Sequence, residues 1–327
     1  MVSTGEPIEP DTLPRLLDQE LPGGFSGAMG RLLMALGSAA IRNVEALEQI
    51  SGAAELELSF RTTLTESLEE AGAEWIWSAG EPPPWPRVEG RRDESGGAGI
   101  LLLPLEGGTG APLHGGPVGT LFTVRGPGKA EVGGMLFHGA HTAMLLALGG
   151  CTHLLRLDRR ASGFVVTSRN LRIPEGGRSF ALVPAETGGW EPEPLGFAAK
   201  HLLDGSAPFR AGSTVRPIHS LSWETYRILR EGGALLRPAT YLGRGEPGEN
   251  LYLRHHEALP VALLIEGAGG MATDGRERLA HVPVPGPWAR TPLVMGATRW
   301  VEAFIRSRPS QGPNREPLFA SRGLFRP

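Results

Sequence analysis

The stretch GAGILLLPLEGGTGAPLHGGPVGTLF, Gly97 to Phe122, decides how this chain folds. Its apolar run from Ile100 to Leu105 has the length and flanks of a buried strand. Glu106 ends the run, a glycine-rich turn follows, and Phe122 restores apolar character. A strand that empties into such a loop usually holds metal and phosphate, yet this one carries Leu103 and a single acid.

Outward from it, the same short apolar or alternating pattern recurs in AEWIWSAG (73–80), VGTLFTVR (118–125), TAMLLALGG (142–150), THLLRLD (152–158) and GFVVTS (163–168). Each is bounded by Gly, Pro or Asp, as strands of a helix-covered sheet should be. Before them, residues 24–50 and 59–72 place small and apolar side chains at helical spacing. Two proline-rich stretches, 80–97 and 189–196, read as loops. Past residue 178 the pattern alternates. SWETYRILREGG (222–233) reads as a helix, ALLRPATYL (234–242) as extended and ALPVALLIEGAGG (258–270) as a helix closed by Gly269 and Gly270. TPLVMGA (291–297) is then a strand and TRWVEAFIRS (298–307) a helix. The expected class is α/β, with one unit over 1–178 and a second over 179–327. The tail, 310–327, is polar and then apolar, and is expected to dock its Leu and Phe residues.

Composition excludes several functions. With 327 residues, 40% hydrophobic and 20% charged, the chain reads as globular, and its apolar runs are shorter than the roughly 20 residues a membrane helix needs. The acidic start lacks a signal-peptide pattern, so a cytoplasmic location is expected. A formal charge of -3 with dispersed arginines gives no footprint for nucleic acid. The single cysteine, Cys151, excludes an intrachain disulfide and reads as a small buried hydrophobe.

Local motifs add little. GRGEPG (243–248) has the spacing of a dinucleotide loop without the strand-turn-helix context. HHEALP (255–260) has Pro260 where a zincin needs its second histidine, and the side chains of His255 and His256 should diverge on a helix or a strand. No serine stands in a G-x-S-x-G elbow.

Longer segments are more specific. LLIEGAGGMATDGRERL, RTPLVMGA, YRILREGGALLRPA, the long run from Phe137 to Pro174, and PLEGG with GTLF together resemble class 1 fructose-1,6-bisphosphatases of the bacterial type. The likeness spans nearly the whole chain, with a shortened loop near 50–56. It implies a layered αβαβα sugar-phosphatase fold, a tetramer, and hydrolysis assisted by two or three divalent ions held by carboxylates.

Matched residue by residue, the resemblance puts Ala79 and Gly80 where the family has paired glutamates, although a one-residue shift would bring in Glu81. Leu103 stands at the first aspartate of the D-P-L-D-G-S motif, Glu106 at the second, and Gly108 and Thr109 at the two positions after the glycine. Glu257 keeps the glutamate of L-Y-E, and Glu57 stands at the aspartate of K-L-D. On the substrate side, Val183 replaces an asparagine, Pro217 and Arg237 replace tyrosines, and Leu251 and Leu253 replace a lysine and an arginine. Arg216 matches the arginine that reaches a neighbouring subunit. The nucleotide-regulation residues are also missing, with Gly97 and Ala98 at a lysine-tyrosine pair.

Each lost charge-assisted contact is worth about 1.5–3 kcal/mol, so these losses together remove bisphosphate affinity. The expectation is a protein that no longer hydrolyses sugar bisphosphates and takes a less charged, more apolar ligand. Leu103, Thr109, Val183, Leu251, Leu253, Arg216 and Arg237 would line its pocket. Glu106, Glu257 and His256 would serve as acid and base in a cyclisation, isomerisation or elimination of specialised metabolism. No cofactor is expected, with Mg²⁺ only if Glu81, Glu106 and Glu257 converge. The expected assembly is a homo-oligomer, dimer or tetramer. Two alternatives stand beside it: a non-catalytic subunit paired with an active paralogue, and a phosphatase of reduced metal count.

Overall fold

The computed structural model of the chain describes residues 11–24, 26–79, 98–107, 116–126, 130–177, 179–198, 214–218, 220–242, 246–247, 251–281 and 288–307. Three helices open it: α1 (Leu13–Glu20), α2 (Ala28–Gln49) and α3 (Ala53–Glu70). Only Ile50, Ser51 and Gly52 link α2 to α3.

Seven strands follow: β1 (Trp75–Ser78), β2 (Gly99–Glu106), β3 (Val118–Arg125), β4 (Glu131–His138), β5 (Thr142–Leu148), β6 (Cys151–Asp158) and β7 (Gly163–Ser168). They lie side by side in chain order in one sheet, β1 parallel to β2 and every later pair antiparallel. Strand β4 escapes the sequence pattern because Gly133 and Gly134 interrupt its apolar run with positions that carry no side chain. Cys151, at the start of β6, is partly exposed and not the buried residue expected.

The later part builds a second sheet. Its strands β8 (Ser179–Leu182), β9 (Thr214–Pro217) and β10 (Ala234–Arg237) precede two short pairing segments, β11 (Tyr241–Leu242) and β12 (Glu246–Pro247). Then come β13 (Tyr252–Leu253), β14 (Met271–Thr273), β15 (Arg290–Thr291) and β16 (Leu293–Gly296). The five-stranded order is β14-β16-β10-β8-β9, which leaves β9 at an edge, while β13 pairs with β15. Among the described residues four more helices follow: α4 (Pro192–Ala198), α5 (Leu221–Glu231), α6 (Leu259–Gly267) and α7 (Thr298–Arg306). The stretch read as a proline-rich loop at 189–196 therefore becomes helical, because Pro192 and Pro194 fall in the first turn, where a missing N–H costs nothing.

Strand periodicity sorts the core into two layers. Phe122, Leu136, Met144, Leu146 and Leu155 face α1–α3. Their neighbours Leu121, Met135, Phe137, Leu145 and Leu154 face the other way, onto α5, α6 and the second sheet. Helix α6 is apolar all round because it lies between the two sheets. Pro260 falls in its first turn, and it ends where the Gly270 N–H returns to the Ile265 carbonyl at 2.9 Å. The Phe197–Phe304 edge-to-face pair joins α4 to α7 in the last layer. The resulting αβαβα stack is an α/β fold of the expected kind. No described helix is long and apolar enough to cross a membrane.

Candidate functional site

Strand β2 delivers Glu106 to the start of α5. One carboxylate oxygen accepts the Leu221 N–H at 2.6 Å; the other accepts the Ser222 N–H at 2.9 Å and the Ser222 hydroxyl at 2.5 Å. A carboxylate is favoured there by the unpaired N–H groups and dipole of the helix. Ser220 caps the same turn, accepting the Trp223 N–H at 3.1 Å. The approach is close: a Cβ on Gly119 would meet the Ser222 side chain at 2.4 Å. Gly107, at φ +78°, turns the chain away immediately after the glutamate.

Glu257 comes from a single π-helical turn, Arg254–Ala258, directly before α6. Its Oε2 accepts the Leu253 N–H at 2.5 Å. Burial pushes its carboxyl up to about 6; the Leu253 hydrogen bond opposes this, Glu106 adds to it, and Arg290 and Arg237 pull it down. Tyr252 is buried nearby, and its phenol is raised, first by burial and then, against the pull of Arg237, by Glu106 and Glu257. The Arg237 guanidinium lies 4.7 Å from the Tyr252 ring centre and grips Glu186 through two hydrogen bonds, 2.9 and 3.2 Å. Glu106, Glu257, Tyr252, Arg237 and Glu186 thus form one polar group at the meeting of β2, α5, β10 and β13.

The histidines face elsewhere. His256 Nε2 lies 3.2 Å from the Trp77 carbonyl, and its ring stands edge-on to Trp77 at 4.3 Å. His255 tilts onto the same indole at 5.4 Å, so the π-helical turn brings together two side chains that a regular helix or strand would separate. Burial holds both imidazoles down to about 4. No hydrogen bond joins His256 to Glu257, so the expected acid-base pair is not assembled.

Other expected residues scatter. Glu57 is on the outer side of α3, paired with Arg61 at 2.8 Å, away from the carboxylates. Arg216 sits on edge strand β9, where its Nε has no hydrogen-bond partner. Leu103 packs partly buried against the inter-sheet core, beside the bulge before Glu106. Val183 caps the short 3-10 turn Pro184–Gly189 that carries Glu186. The Leu251 carbonyl accepts from Arg290 Nη1 at 2.8 Å, and Leu253 contributes its N–H to Glu257. Glu81 and Thr109 lie outside the described residues, as do the 80–97 loop and the 310–327 tail.

Residues 173–308 match the family profile described as Fructose-1-6-bisphosphatase, C-terminal domain. A class 1 fructose-1,6-bisphosphatase from Bradyrhizobium diazoefficiens is 31% identical over 242 residues, 69% of this chain and 69% of that protein. This chain belongs to the class 1 fructose-1,6-bisphosphatase family. A Methylibium petroleiphilum class 1 fructose-1,6-bisphosphatase is 38% identical over 203 residues, 61% of this chain, and the match spans 56% of that relative's length. The Leishmania major fructose-1,6-bisphosphatase structure in holo form shares the fold, with TM-score 0.79 and 20% identity over 91% of this chain and 99% of that one.

A hydrolytic centre of the fructose-bisphosphatase kind needs carboxylate oxygens with free lone pairs facing hard dications. Among the described residues, Glu106 and Glu257 are the carboxylates at that position, and three of the roughly four lone-pair sites of Glu106 are taken by α5. Both oxygens of Glu106 are engaged by α5, Glu257 spends one on Leu253, and Leu103 offers none. Among the described residues no three His, Cys, Asp or Glu side chains are grouped to hold a metal ion. Glu186, Tyr252 and Trp77 were missed in the sequence. Their only local signal was an acid in a turn and aromatics beside a strand end.

Proposed function

We propose that this fructose-bisphosphatase family member does not hydrolyse sugar bisphosphates through a multi-metal centre. It binds a small molecule of low charge beside Glu257, Tyr252 and Arg237. The observation that carries this reading is the engagement of both Glu106 oxygens by the start of α5. A metal on Glu106 would have to share a carboxylate that already accepts three hydrogen bonds from a helix terminus. Glu257, shifted to about 6, exchanges its proton near neutral pH and is the group suited to general acid or base work. Tyr252 and the Arg237–Glu186 pair orient a polar substituent without adding net positive charge. Calorimetric titration with Mn²⁺ tests the reading. The expected result is no saturable binding in the wild type; two ions bound per chain, lost in Glu257→Gln, would contradict it.

The second reading is a metal-dependent sugar phosphatase, the activity that the names of its relatives carry. It is favoured by the nearness of Glu106 to Glu257, close enough for the first carboxylate to raise the second. Arg216, on an edge strand with an unpartnered Nε, supports assembly of copies of the chain, which light scattering would measure.

A further inference from the structure

Strands β8 and β10 run parallel as neighbours, with Ala234 beside Phe180 and Leu235 beside Ala181. Open α/β sheets take their ligands just outside the carboxyl ends of such strands. Two charged side chains stand at these ends: Arg237 closes β10, and Glu186 follows β8 in the 3-10 turn Pro184–Gly189. The turn is pinned on both sides, the Glu186 N–H donating to the Val183 carbonyl at 3.0 Å and Trp190 bridging to Thr240 just past β10. Glu186 is thereby carried across to Arg237, and each of its oxygens takes one guanidinium donor: Oε1 from Nη2 at 2.9 Å and Oε2 from Nε at 3.2 Å.

That pair of donors is the planar fork that matches two oxygens of a phosphate or a carboxylate. Glu186 therefore occupies the edge of Arg237 that an anionic ligand needs. Burial makes the occupation firm: the Glu186 side chain is 9% exposed and that of Arg237 20%, so water screens their attraction little. An arriving phosphate would meet a guanidinium already neutralised, with the carboxylates of Glu106 and Glu257 acting on the adjoining Tyr252. We propose that Glu186 sets ligand specificity here: by holding the Arg237 fork it excludes phosphate esters from the site of Glu257 and Tyr252 and leaves that site to uncharged polar groups. This inference rests on the low-charge ligand proposed above and assigns the selection to one side chain.

Calorimetric titration with inorganic phosphate in excess EDTA, free of divalent ions, tests it. Glu186→Gln and Glu186→Ala should each bind phosphate about tenfold or more tightly than the wild type, the scale of one charge-assisted hydrogen bond. Adding Arg237→Met to either should return the affinity to the wild-type level. Arg237→Met alone should leave the wild-type affinity unchanged, because that guanidinium is not open to phosphate. Near-ultraviolet dichroism checks the fold of each variant. No gain in the Glu186 variants, or a gain that survives Arg237→Met, would overturn the inference and leave the low-charge reading to its own Mn²⁺ titration. Phosphate binding by the wild type as tight as in the variants, and removed by Arg237→Met, would overturn both.

Discussion

Glu106 and Ser222 are joined twice, the backbone N–H and the hydroxyl of Ser222 reaching the same carboxylate oxygen at 2.9 and 2.5 Å. Residues far apart in the chain thus close the end of a helix that lies between the two sheets. A glutamate in this position stabilises α5 whatever else it does. Glu106→Ala should cost about 2–3 kcal/mol, the value of losing charge-assisted hydrogen bonds from partly buried donors. Urea unfolding measures it, and a change under about 0.5 kcal/mol would show that the helix does not depend on this carboxylate.

Within the same helix, Glu224 and Arg227 form an ion pair at 2.7 Å with side chains 0% and 1% exposed, and Arg227 also donates to the Gly232 carbonyl at 3.0 Å. Removing one partner strands a buried charge. Either Glu224→Ala or Arg227→Ala should therefore destabilise by about 3–5 kcal/mol, whereas Glu224→Leu with Arg227→Met should be nearly neutral. Thermal melting of the three variants separates these outcomes.

Stability should fall as the solution is acidified from pH 6.5 towards 4. Burial holds His138, His255 and His256 down to about 4 from the ordinary 6.5. Their contribution is present above the unfolded value and lost as pH falls towards the folded one. Glu257 works in the opposite sense: raised from 4.5 to about 6, it contributes below 4.5 and loses that contribution as pH rises through 6. Three imidazoles outweigh one carboxyl. His256→Gln should flatten the pH profile of the urea midpoint and Glu257→Gln should steepen it. A midpoint independent of pH in the wild type would contradict the burial of these imidazoles.

The fold was legible where apolar runs and their glycine boundaries are clear. Ile100–Leu105 and Val118–Phe122 announce buried strands, and Gly269 and Gly270 close α6 as expected. Strand β4 was hidden by two glycines, and α4 by prolines whose helical role depends on falling in a first turn. The site was legible as positions and not as partnerships. That Leu103 stands where the family has an acid follows from the segment alone. That Glu106 caps α5, or that Glu186 takes Arg237 from 51 residues away, depends on packing that no local pattern encodes. The divergence expected of His255 and His256 failed because a π-helical turn changes the angle between successive side chains.

Phosphate release from fructose 1,6-bisphosphate in the presence of Mg²⁺ or Mn²⁺ tests the central claim most directly. The arrangement around Glu106 and Glu257 predicts no release above that of Glu257→Ala. Metal-dependent turnover by the wild type, abolished in Glu257→Ala, would show that these two carboxylates still serve a phosphatase.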